Sequence, residues 1–208
     1  MINKENENSY YFQADWFSPN IPVWQELLKP FANKPNLHFL EIGSFEGRST
    51  IWLIDNILTH PSSRIVCVDT FEGSTEHAGM GINTSNIEKT FLHNVKVSGG
   101  EQKVDIRKGY SQEILRTFPF SHFDFAYIDG SHVASDVLTD AVLTFPLLKL
   151  DGVLAFDDYH WDMDPNPLNR PQIAIKAFME VFREKYQLLH KGDQIFLKKT
   201  LRNSLYRR

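Results

Sequence analysis

Five short apolar runs, at 38–42, 64–69, 104–108, 123–129 and 152–157, punctuate the chain and predict five strands. The first, second, fourth and fifth are rich in Val, Ile, Leu and Phe with little polar alternation, as in strands covered on both faces. Between them, amphipathic stretches at 49–58, 86–94, 111–117 and 134–148 predict helices. Strand and helix repeated in this order predict an α/β three-layer sandwich: a mostly parallel sheet, helices on both faces, and ligands at the carboxyl ends of the strands. Two later runs, near 187–190 and 194–198, flank the turn Lys191-Gly192-Asp193 and predict an antiparallel C-terminal hairpin at one sheet edge. No repeat period interrupts the pattern, so 1–208 reads as one domain with residues 1–15 flexible and a basic tail at 199–208.

Composition narrows the partners. With 208 residues, 42% of them hydrophobic, the chain can bury one good core and is short for two. A net charge of -4 leaves no general basic surface, which argues against nucleic acid. The single cysteine, Cys67, lies inside an apolar run, so no intrachain disulfide can form and a reducing compartment is expected. Residues 1–9 are polar and no run reaches membrane-spanning length. The expectation is a cytoplasmic protein with a small-molecule partner, no membrane contact, and a homodimer as the permitted assembly.

The first strand runs into Glu41-Ile42-Gly43-Ser44-Phe45-Glu46-Gly47-Arg48-Ser49. Gly43 permits a tight turn and close approach to a ligand, and Gly47 permits close packing where the next helix begins. The spacing departs from the dinucleotide fingerprint G-x-G-x-x-G and resembles the first motif of class I methyltransferases, E-x-G-x-x-x-G, which implies that Glu41 fixes the methionine amino end of S-adenosylmethionine. The second strand ends in Asp69, 28 residues after Glu41. Its carboxylate there suits the vicinal hydroxyls of a ribose. Ser44, Ser49, Thr70 and Phe71 complete the expected cofactor contacts around these two strand ends, and Gly109 to Ser111, after the third strand, are placed for the adenine edge. The whole is a Rossmann-like nucleoside site.

Two further strand ends carry acid: Asp129 in Tyr127-Ile128-Asp129-Gly130-Ser131-His132, and the pair Asp157-Asp158. Three carboxylates at neighbouring strand tips repel one another, and a hard cation with oxygen ligands, such as Mg2+, is the natural counter-ion. Metal ligation is thus assigned to Asp129, Asp157 and Asp158, with direct substrate contact and helix capping as the alternatives. Such a cation would hold an acceptor hydroxyl and lower its pKa. His132, placed at the start of the following helix, is positioned to take the hydroxyl proton as general base, beside Asp129 as its catalytic partner.

From Trp16 to Lys198 the sequence resembles the class I methyltransferases that include the macrocin and mycinamicin sugar O-methyltransferases. The resemblance rests on Glu41-Ile42-Gly43 with Gly47, Asp69-Thr70-Phe71-Glu72-Gly73, Phe91-Leu92-His93-Asn94, the Asp129 to His132 segment, and Phe156-Asp157-Asp158-Tyr159. It implies magnesium on Asp129, Asp157 and Asp158, His132 as base, and O-methylation of a sugar or phenolic natural-product hydroxyl. A catalytically silent nucleoside-binding protein and a nicotinamide-dependent oxidoreductase are the alternatives. The complete acidic and histidine set speaks against the first, and the glycine spacing against the second.

Three more segments carry expectations. The polar, glycine-bearing stretch 72–88 is long enough for a substrate lid. Residues 16–24, aromatic and proline-bearing, are expected to pack in the core, and 161–171, with three prolines and two aspartates, reads as an irregular segment beside the cleft.

Overall fold

The computed structural model describes residues 9–74, 77 and 79–201. Strands β1 (His38–Ile42), β2 (Arg64–Asp69), β3 (Val104–Lys108), β4 (Phe123–Ile128), β5 (Leu148–Phe156), β6 (Tyr186–Lys191) and β7 (Ile195–Lys199) form one sheet of order β3-β2-β1-β4-β5-β7-β6. The first five are mutually parallel, and β7 runs antiparallel to both β5 and β6. Helices α1 (Ile21–Leu28), α2 (Arg48–Asn56), α3 (Ile87–Val97), α4 (Ser111–Ile114), α5 (Ala134–Leu147) and α6 (Pro171–Val181) surround it.

Alternate strand positions feed two separate cores, because successive side chains of a strand point to opposite faces. Leu40, Ile42, Val66, Val68, Ala126 and Phe156 pack with α5 and α6. Phe39, Ile65, Cys67, Phe125 and Tyr127 pack with α1, α2 and α3. Trp24 of α1 is wholly buried in this second core, its ring edge-on to Phe17, Trp52, Phe125, Tyr127 and Phe196. Truncating it to alanine should cost about 3–5 kcal/mol.

The sandwich and hairpin match expectation, but the sequence reading missed two helices. Pro22 and Pro171 stand in the first turns of α1 and α6, where a missing N–H costs nothing. From the sequence alone, 16–24 receives only a packing role and 161–171 only an irregular path beside the cleft. β5 also starts earlier than expected, at Leu148. Lys199, counted with the basic tail, is buried, and its Nζ donates to the carbonyls of Phe145 (3.0 Å) and Leu148 (2.7 Å), satisfying the end of α5. Of the stretch 1–15 expected to be flexible, residues 1–8 lie outside the described residues and residues 9–15 are held in place as described below. Most of the basic tail, residues 202–208, also lies outside them. Among the described residues no helix is long and apolar enough to cross a membrane.

Candidate functional site

β1 and β4 lie side by side at the centre of the sheet, and the chain leaves them toward helices on opposite faces. This is the topological switch point, where the crevice outside the carboxyl ends of the strands opens. The backbones seal its floor: Gly43 N–H donates to Val68 O (2.9 Å) and Asp129 N–H to Ile42 O (2.8 Å). Gly43, at φ +83°, lies so close to β4 that a Cβ there would stand 2.1 Å from Asp129 O. At Gly47 a Cβ would stand 2.9 Å from the Phe91 ring, which bears out the expected close packing of α2.

Asp69 clamps this loop. Its Oδ2 accepts from the N–H groups of Ser44 (2.7 Å) and Phe45 (2.8 Å), and its Oδ1 from Phe71 N–H (2.6 Å). Glu41 is fully buried and accepts from Ser49 Oγ (2.6 Å), Thr50 Oγ1 and, weakly, Cys67 Sγ. Burial pushes its carboxyl above the usual range. Both acids expected to grip the cofactor thus also fix the glycine loop and the first turn of α2. Ser44 Oγ, near enough to lower the Glu41 pKa, is buried without a partner in hydrogen-bonding geometry, an orphan polar atom in a loop suited to a polar ligand. Thr70 Oγ1 accepts from Glu72 N–H (3.3 Å) and Phe71 stacks obliquely on Phe91. After β3, Gly109 N–H donates to Asp69 O (2.9 Å), and Ser111 Oγ donates to Asp140 Oδ1 of α5 (2.7 Å).

A strap that no sequence signal announced crosses this loop. Gln13 donates through its N–H and its Nε2 to the Glu46 carboxylate, each at 2.7 Å, and exchanges hydrogen bonds with the backbone of Asn83. Asn94 bridges Tyr11 and Glu46, and Arg48 pairs with Asp15. The expected lid 72–88 is thereby tied to the strap through Asn83; its residues 75, 76 and 78 lie outside the described residues.

At the ends of β4 and β5 the structure draws together Asp129, His132 and Asp158, one ligating atom of each within 4.8 Å of the others. His132 lies in the turn two residues before α5 begins, not in the helix, and its Nε2 is 2.8 Å from Asp158 Oδ2. Asp158 holds a left-handed φ of +60°. Asp157 accepts from Tyr127 Oη, from Gln194 Nε2 (2.9 Å) and from Asp158 N–H (2.8 Å), so its oxygens are engaged by the protein, and the third member of the cluster is His132 rather than Asp157. Gln194, itself held by Trp24 Nε1 (2.7 Å), and Tyr127 were not foreseen, since only the tertiary fold brings residues so far apart in sequence together. Burial, then the charges of Asp157 and Asp158, push the Asp129 carboxyl well above the usual range; burial and Asp158 likewise raise Asp157. Such carboxyls ionise readily only beside a positive charge. The carboxylates of Asp129 and Asp158 form a donor pair that fits a hard divalent cation, with the His132 imidazole beside them.

A family model described as a methyltransferase domain matches residues 40–159, more than half of the chain. Uncharacterized protein R132 of Acanthamoeba polyphaga mimivirus is 25% identical over 161 residues, 74% of this chain and 66% of that protein, so the chain spans slightly under two thirds of that relative's length. The O-methyltransferase from Bacillus cereus in complex with SAH superposes with a TM-score of 0.63 at 19% identity, covering 90% of this chain and 84% of that one. MycE methyltransferase from the mycinamycin biosynthetic pathway, in complex with Mg, SAH and mycinamycin VI, superposes at 0.59 with 17% identity over 93% of this chain and 52% of its own. At such identities the superpositions show a shared fold.

Proposed function

The chain belongs to the methyltransferase domain family, and we propose that it moves the methyl group of S-adenosylmethionine onto a hydroxyl oxygen of a small molecule with help from a divalent cation. The convergence of Asp129, His132 and Asp158 beside the glycine loop carries this reading. S-adenosylmethionine would supply an electrophilic methyl carbon, and the cation, Mg2+ by the hardness of its ligands, would supply charge that eases loss of the hydroxyl proton. The SAH and Mg in the two solved structures above support both assignments.

In this reading the loop from Gly43 to Gly47, pinned by Asp69, shapes the methionine end of the cofactor site together with Glu41, Ser44 and Ser49. Asp69, Thr70 and Phe71 border the ribose, and Gly109 and Ser111 the adenine. Asp129 and Asp158 would hold the cation, with Asp157 keeping Asp158 in place by accepting from the Asp158 N–H. As the acceptor oxygen forms its bond to carbon and the carbon–sulfur bond breaks, the hydroxyl proton passes to the His132 imidazole. Asp158 Oδ2, 2.8 Å away, balances the resulting charge.

Calorimetry with S-adenosylhomocysteine tests the cofactor half of the proposal: the wild type should bind, and Asp69→Ala should bind at least tenfold more weakly. A wild type that releases no heat ends the assignment. For transfer, His132→Ala should lose about a hundred- to ten-thousand-fold in turnover with cofactor affinity unchanged. A mutant retaining the wild-type rate and pH profile would leave proton removal to the cation alone.

A further inference from the structure

The sheet has two outer strands, β3 and β6, and they end it differently. β6 carries a register shift between Leu188 and His190, an irregularity of the kind that blunts an edge against further pairing. β3 pairs with β2 in unbroken register from Val104 to Lys108, and among the described residues no strand lies on its other side. The ends of that ladder show which backbone groups are free. Ile65 N–H donates to Lys103 O (2.9 Å) and Gly109 N–H to Asp69 O (2.9 Å), so the odd-numbered residues from 103 to 109 bond β2. The N–H and C=O groups of Val104, Ile106 and Lys108 therefore point out of the sheet.

Side chains follow the same alternation. Val104 and Ile106, half-buried, pack toward the core that includes α3, and with Leu92, 49% exposed, they line a groove of about 430 Å³ along α3 and β3. On the opposite face Asp105 and Arg107 stand side by side, Arg107 Nη2 donating to Asp105 Oδ2 at 2.8 Å.

A strand laid antiparallel on this edge meets outward groups at 104, 106 and 108, and a second β3 offers the same three in reverse order. Centred on Ile106, the two copies satisfy all of them: Ile106 exchanges both bonds with Ile106 of the partner subunit, and Val104 exchanges both with Lys108 of the partner subunit. The residues between then oppose each other crosswise. Asp105 faces Arg107 of the partner subunit and Arg107 faces Asp105 of the partner subunit, which closes a ring of alternating charge. A slip of two residues either way leaves strand ends unpaired and sets Asp105 against its own copy, or Arg107 against its own copy, and like charges directly opposite are destabilising. Charges on an edge strand ordinarily prevent pairing. These allow one register and oppose its neighbours.

We propose that the outer edge of β3 is a self-complementary docking surface, on which a second copy of the chain pairs antiparallel about Ile106 and continues the sheet through a two-fold dimer. Because the paired strands run in opposite directions, the carboxyl-end clefts of the two copies open at opposite ends of the dimer and neither covers the other. The inference is independent of the methyl-transfer reading. One short strand and one groove per copy form a small interface, so Kd should be on the order of 10 µM.

Sedimentation of the full chain from about 1 to 200 µM measures the dimer. Asp105→Arg makes both charges of the edge positive and Arg107→Asp makes both negative, so each variant alone should dimerise at least about tenfold more weakly than wild type. Mixed together, the two should form a heterodimer within about threefold of the wild-type affinity, as should the double variant carrying both changes with itself. Amide exchange reads the register in the wild type: Val104, Ile106 and Lys108 should gain protection as concentration rises, while Asp105 and Arg107, bonded to β2, are protected throughout. A wild type that stays monomeric at the highest concentration overturns the proposal and leaves the edge to a strand of another protein. Single variants that dimerise like wild type, or folded variants whose mixture does not recover, overturn it too. Should a variant unfold, the wild-type exchange pattern decides: concentration-dependent protection that spares 104, 106 and 108 places the interface elsewhere.

Discussion

Gly43→Ala adds one methyl group where the loop after β1 touches the end of β4, and its consequence can be worked from two separable contributions. The residue sits at φ +83°, a conformation that costs an L-residue with a Cβ about 1–2 kcal/mol. The new Cβ would also lie 2.1 Å from Asp129 O and 2.5 Å from the Gly130 Cα, both backbone atoms that cannot swing aside like a flexible side chain. Overpacking of this kind costs about 1–3 kcal/mol more. The sum, roughly 2–5 kcal/mol, should lower Tm by on the order of 10 °C in a chain of this size. Two other glycines isolate the contributions. Gly99 shares the positive φ but has open space around it, so Gly99→Ala should pay the conformational part alone; Gly79 has open space and no positive φ, so Gly79→Ala should be near neutral. Relief of the clash must displace Asp129, so magnesium should also bind Gly43→Ala more weakly. Thermal unfolding of the three variants, followed by magnesium titration, is the assay. A Gly43→Ala whose Tm falls no further than that of Gly99→Ala would refute the close approach of the two strand ends and the coupling drawn from it.

Magnesium at ten times its Kd should stabilise the wild type by about 1.4 kcal/mol, a rise of a few degrees in Tm, and Asp158→Asn should remove most of it; equal shifts in both proteins would place the ion elsewhere. Asp140, on α5, has its carboxyl raised to about 6, chiefly by burial and also by the charge of Asp136. A folded pKa above the unfolded one means that stability is fully present below about pH 4 and is lost as pH rises through about 6. Asp140→Asn can keep the bond from Ser111 and should therefore gain on the wild type by up to roughly 2–3 kcal/mol between pH 4 and 7.5. Urea midpoints that differ by the same amount at both ends of that range would contradict this.

The sheet and its ligand edge were legible because Val, Ile, Leu and Phe cluster in runs of strand length and acids end those runs. Helices α1 and α6 were not, because proline signals both a break and a helix start, and only the packing of Trp24 and Phe178 decides between them. At the site, residue types were readable and their directions were not. The dipeptide Asp157-Asp158 offers two carboxylates, and which one faces the cleft depends on a backbone reversal at Asp158 and on Gln194, far away in sequence. Asp69 likewise has the position expected of a ribose ligand, yet in the structure its oxygens accept three backbone N–H groups, a partnership set by loop conformation alone.

The place of β7 between β5 and β6 also sets a timetable. As the chain is synthesised, β1 to β5 can assemble in sequence, each beside a strand already made. β5 must then wait for its outer neighbour until α6 and β6 have been completed and the chain has turned back. Until that moment it is an open edge, the kind of surface on which a nascent chain pairs with the wrong partner. Gln194 arrives just before the same late strand, so Asp157, beside the Asp129, His132 and Asp158 cluster, is steadied only when the sheet closes. A proteolytic nick between α6 and β6 would thus strike at the cluster from the opposite end of the chain, leaving the glycine loop whole while Asp157 loses its hold.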